Sequence, residues 1–110
     1  MKQYVIDELQ PGEHERLKAY LQAVCGPGEL DEIYWLLLDE ALYTPTQVAH
    51  TDCQPFYAAI HLKAQAVAVE FLIRTKNRMR CDCMGYATPE QSAWLMKRLD
   101  EMLAELEIHV

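Results

Sequence analysis

Two short segments of this chain carry residues able to ligate a metal or perform thiol chemistry: His50-x-x-Cys53 and Cys81-x-Cys83. One imidazole and three thiols form a donor set for tetrahedral zinc, which takes sulfur at ~2.3 Å and nitrogen at ~2.0–2.1 Å. Their spacing sets a condition. Residues two apart on a straight strand hold their Cβ atoms roughly 6.6 Å apart, so Cys81 and Cys83 converge on one small ion only if the backbone bends at Asp82. The same separation argues against a Cys81–Cys83 disulfide, whose Cβ atoms sit about 3.8 Å apart. The plainer expectation is that Met79, Cys81 and Cys83 share the inward side of a strand, where both cysteines are small buried hydrophobes in the reduced state. Zinc held by His50, Cys53, Cys81 and Cys83 is the alternative. Cys25 lies at the predicted end of a helix, where negative partial charge raises a thiol pKa, and this disfavours a nucleophile assisted by His50 and Asp52.

A second group is basic. Arg74, Lys76, Arg78 and Arg80 place four of the chain's ten Lys and Arg residues within seven positions around Asn77. On a hairpin, alternation sends Arg74, Arg78 and Arg80 to one face, with His61 on the neighbouring strand, and such a patch suits an acidic protein or a small anionic ligand. The competing arrangement is cross-strand pairing with Glu70 and Asp82, at about 0.2–1 kcal/mol per pair.

Other chemistries lack their residues. Ser92 is the single serine and sits in a predicted helix without a Gly-x-Ser-x-Gly elbow. Gly12, Gly26, Gly28 and Gly85 form neither a dinucleotide fingerprint nor a phosphate loop. No organic cofactor is expected, and the reading leans away from an enzyme. The acidic pairs Asp31-Glu32, Asp39-Glu40 and Asp100-Glu101 flank apolar runs or fall on polar faces, as solvated carboxylates do. A formal charge of −7 opposes nucleic acid and anionic lipid at long range. The longest apolar run, Ile33 to Leu38, is far short of the ~20 residues that cross a bilayer, and Met1 to Leu9 lacks the layout of a signal peptide. A cytoplasmic protein without membrane contact is expected.

The elements that would position these groups follow from periodicity. Tyr4 to Ile6 reads as a short strand, broken at Pro11-Gly12. Leu17, Tyr20, Leu21 and Val24 make a helical stripe ended by Gly26-Pro27-Gly28. Ile33 to Leu38 fits a buried strand or a buried helix, and strand is the choice made. Thr44-Pro45-Thr46-Gln47 is a capping box, opening a short helix over Gln47 to Thr51. From Phe56 to Met84 the period is two, giving three strands in a meander that turns near Lys63-Ala64-Gln65 and Thr75-Lys76-Asn77. Thr88-Pro89-Glu90-Gln91 repeats the capping box and opens a helix with Leu95, Leu99, Met102 and Leu106 on one stripe. The strand-strand-strand-helix order is similar to that of double-stranded RNA-binding domains. Where that family begins its helix with lysines this chain has Thr88-Pro89-Glu90-Gln91, which argues against RNA.

The expected fold is a single α+β domain over residues 1–110, with element order β-α-β-(short α)-β-β-β-α. It is a two-layer sandwich of four to five antiparallel strands with both long helices on one face. The uncovered face carries His61, Glu70 and Arg74 among Tyr57, Ala59, Ala68 and Leu72, a mixture that favours self-association. On sequence alone the preferred function is a dimeric binding module using that face and the basic hairpin. A zinc-binding or thiol-dependent protein is the alternative.

Overall fold

Alternating apolar residues between Phe56 and Thr75 build the centre of the sheet. Strands β3 (Phe56–Leu62) and β4 (Val67–Thr75) form an antiparallel hairpin, closed where the Lys63 N–H donates to the Ala66 carbonyl at 2.8 Å. The computed structural model describes residues 2–30, 32–76 and 81–109. β2 (Ile33–Leu37) pairs along the far side of β3, so the apolar run is a strand. β1 (Gln3–Ile6) and β5 (Gly85–Tyr86) lie along successive halves of the outer side of β4. The resulting order is β1-β4-β3-β2, with β5 also on β4. Between the pairs Ala58↔Ile73 and Ile60↔Val69 the register shifts, because β4 inserts more residues than β3, a bulge that bends the longer strand.

Helices α1 (Pro11–Cys25) and α3 (Pro89–Glu105) cover one face. Leu17 and Leu21 of α1, with Leu95, Leu99 and Met102 of α3, enter one cluster with Tyr34, Leu36, Ala58, Ile60 and Val69. Each fully buried leucine contributes about 1.5–3 kcal/mol of apolar transfer, so this cluster is the main cohesive element. The helices are also tied to each other. The Tyr20 hydroxyl donates to Glu105 at 2.7 Å, and the Arg16 guanidinium donates to the Leu106 carbonyl at 2.6 Å. α1 ends at Gly26, whose φ of 84° is open to glycine, and Gly28 passes so close to the buried Tyr34 ring that a Cβ there would lie 2.8 Å from it. Among the described residues, no helix is long and apolar enough to cross a membrane.

Two expectations about elements are corrected. The short helix α2 spans Pro45–Ala49 rather than Gln47 to Thr51, because proline occupies its first position and Thr44 caps it. A 3-10 turn over Thr51–Cys53 follows. The third meander strand does not include Cys81 and Cys83. These residues lie in a turn closed by the Met84 N–H donating to the Cys81 carbonyl at 3.0 Å, and the strand that pairs with β4 begins afterwards, at Gly85. Asn77, Arg78, Met79 and Arg80, including the expected hairpin tip, lie outside the described residues.

Candidate metal centre

His50 and Cys53 stand at the two ends of one tight turn. His50 ends α2, and the Cys53 N–H donates to the His50 carbonyl at 3.0 Å. The turn keeps the two residues on one short segment, with Cys53 buried. The segment is anchored on both flanks. The Gln54 side-chain amide donates to the Gln47 and Val48 carbonyls at the end of α2, and the Thr75 hydroxyl donates to the Cys53 carbonyl.

The second pair is folded back by the Cys81–Met84 turn, which supplies the bend at Asp82 that convergence requires. One ligating atom from each of His50, Cys81 and Cys83 lies within 4.8 Å of the others. Cys53 stands outside that set of three but beside it, with its Sγ 3.8 Å from the Cys81 Sγ. Two sulfurs held at ~2.3 Å from a tetrahedral ion stand about 3.8 Å apart, and a sulfur and a nitrogen about 3.5 Å apart. The Cys53–Cys81 pair is therefore already at ligand spacing, His50, Cys81 and Cys83 need contract by about 1 Å at most, and Cys53 must swing further to join all three.

The charges and protons of the cluster are arranged unevenly. Cys81 is half-buried, whereas Cys53 and Cys83 are only 2% and 4% exposed. The Cys83 backbone N–H, then the Cys83 and Cys53 thiols, hold the Cys81 thiol below its ordinary pKa. Burial, reinforced by the two neighbouring thiols, pushes Cys83 up to about 12. A cation at the centre would reverse that penalty, since a metal-bound thiol loses its proton. The His50 Nδ1 is buried and has no hydrogen-bond partner among the described residues. A buried polar atom left unpaired costs about 1–3 kcal/mol, and coordination would remove that cost.

A polar layer behind the sulfurs fixes their backbone. Both Thr-Pro-x-Gln boxes form, with Thr44 accepting from the Gln47 N–H and Thr88 from the Gln91 N–H. Their glutamines then meet in the interior. The Gln91 amide donates to the Gln47 Oε1 at 3.0 Å and to the Leu42 carbonyl at 2.9 Å, while the Gln47 amide donates to the Cys83 carbonyl at 3.4 Å. Capping thus couples the starts of α2 and α3 to the Cys81–Met84 turn. Sequence reasoning found both boxes but not their contact; the repeated glutamine at the third helical position was the available signal.

The basic group is arranged differently. Glu70 is buried on the face opposite the helices, where it accepts from His61 at 2.7 Å and from Arg74 at 3.2 Å. Lys76 lies over the Tyr57 ring, 4.5 Å from its centroid, and 6.0 Å from the Trp35 ring centroid. Thus Glu70 engages His61 by a hydrogen bond and Arg74 by an ion pair, the pairing that competes with partner binding, and Lys76 rests on aromatic faces. Arg78 and Arg80 lie outside the described residues. Cys25 stands apart from the other three cysteines, and burial raises its pKa against a smaller lowering by Arg98. The expected direction therefore holds, although burial is the leading cause in place of the helix end.

No protein-family model matches this chain, and no curated protein or solved structure is similar enough to constitute a match.

Proposed function

We propose that this chain is a zinc-binding, non-enzymatic domain in which His50, Cys53, Cys81 and Cys83 hold one structural zinc ion. The carrying observation is the convergence of His50, Cys81 and Cys83, with the Cys53 sulfur 3.8 Å from that of Cys81 as the nearest further donor. Four protein donors fill a tetrahedral shell and leave no open position for substrate, which favours a structural over a catalytic ion. The ion would fasten the Cys81–Met84 turn to the end of α2 and satisfy the orphaned His50 nitrogen. Free thiols of this kind suit a reducing compartment such as the cytoplasm. Native mass spectrometry of the reduced chain titrated with zinc tests this reading. One zinc per chain, lost in Cys83→Ser and kept in Cys25→Ser, is the expected result; absence of binding at micromolar zinc overturns it.

The open sheet face favours an accompanying role as an association surface. On that face Val5, 47% exposed, lies opposite Ala68, and Leu37, 54% exposed, lies opposite Tyr57. Size-exclusion mass at two protein concentrations tests self-association, and a monomer mass at both counts against it.

A further inference from the structure

We infer that Cys53 and Cys81 form a redox pair whose disulfide dismantles the metal centre, so that a hydroperoxide releases the ion. This rests on the zinc-binding reading and assigns that site its regulation. The thiols are in contact at 3.8 Å, and a disulfide would draw the two sulfurs together to about 2.05 Å. They differ in access. Cys81 is half-buried and open to a small oxidant, while Cys53 is buried behind it at 2% exposure. Such a division suits one thiol to react first and the other to resolve the product. Cys83 is also buried, but it belongs to the same turn as Cys81, separated from it by the single residue Asp82, and a bond between them would close a small ring across that turn.

The chemistry balances with a hydroperoxide as oxidant. The Cys81 thiolate attacks the peroxide, the O–O bond breaks, and the sulfur becomes a sulfenic acid while the alcohol or water leaves after taking a proton. The Cys53 thiolate, freed from the ion, then displaces the hydroxyl group from Cys81, the S–S bond forms, and the hydroxide leaves as water after taking a proton from solvent. Two electrons have passed from the two sulfurs to the peroxide. His50 and Cys83 are then the donors that remain, half of the four that a closed tetrahedral site needs.

The test uses the zinc-loaded full chain treated with hydrogen peroxide, mapped by mass spectrometry of unreduced peptides while a chromogenic chelator reports free zinc. A Cys53–Cys81 link that appears in step with loss of about one zinc per chain, and reverses with dithiothreitol and added zinc, supports the inference. Cys83→Ser keeps both members of the pair and is expected to form the same link, whereas Cys81→Ser is expected to form none. A link from Cys81 to Cys83 or Cys25, or oxidation that ends at sulfinic acid without a link, overturns the inference. A chain that loads zinc but never forms the link overturns the redox pair and leaves the metal centre standing. A chain that forms the link without ever loading zinc upholds the pair and overturns the metal centre.

Discussion

Adding zinc to the metal-free chain should raise its melting temperature by an amount that follows from mass action. A ligand that binds only the folded state, at a free concentration about a thousand times its dissociation constant, stabilises that state by ~4.1 kcal/mol. The unfolding entropy of a 110-residue chain is about 0.23 kcal/mol/K, so the shift is about 18 °C. The unfolded chain offers no comparable site, because His50 and Cys53 are separated from Cys81 and Cys83 by a flexible stretch of some 28 residues. Differential scanning calorimetry of reduced protein, with zinc and then with excess chelator, measures the effect in both directions. Cys83→Ser should abolish the shift, and Cys25→Ser should preserve it. A cooperative unfolding transition whose midpoint is unmoved by zinc would refute the reasoning.

Three further outcomes follow from the same geometry. In the metal-free chain Cys83 holds its proton from the ordinary value of 9.0 up to about 12; the folded state therefore binds more protons than the unfolded one over that range. Denaturant titrations should then show stability falling as pH rises above ~9, by up to ~1.4 kcal/mol per pH unit, with the fall absent in the zinc-loaded chain. Gln47→Leu removes the acceptor of the Gln91 amide and the donor to the Cys83 carbonyl, and should cost about 1–3 kcal/mol together with a measurable loss of zinc affinity by competition with a chelator. Gly28→Ala drives a Cβ against the buried Tyr34 ring at 2.8 Å and should cost about 1–3 kcal/mol in the same titration; an unchanged midpoint would show that the loop yields freely.

Much of the architecture was legible because it rests on local patterns. Period two in Phe56 to Leu62 and Val67 to Arg74, and period near four through Leu17 to Val24 and Leu95 to Met102, gave the hairpin and both long helices. The two threonines at the helix starts cap as their sequence contexts require. Alternation misled at Cys81 and Cys83. The residues of that segment keep the apolar-polar rhythm of a strand, yet a turn closes at Met84, and the bend that had been the condition for metal binding is present. The register of Cys53 against Cys81 depends on chain segments far apart in sequence, so no local pattern reports it. Burial of Glu70 was hidden for a similar reason. Its charge marks it as a surface residue until His61 from the adjacent strand and Arg74 four residues along are seen to pair with it.

Thiol accessibility tests the metal centre most directly, because it counts the sulfurs an ion would hold. The chain has four cysteines, and Cys25 lies outside the cluster. With a thiol-alkylating reagent and site assignment by mass spectrometry, zinc is expected to protect Cys53, Cys81 and Cys83 together while Cys25 reacts at the same rate with or without it. Cys81 is the sensitive reporter, since it is the half-buried member and should be the most reactive of the three without metal. Labelling of Cys81 at equal rates in zinc and in chelator would contradict a metal held by this cluster.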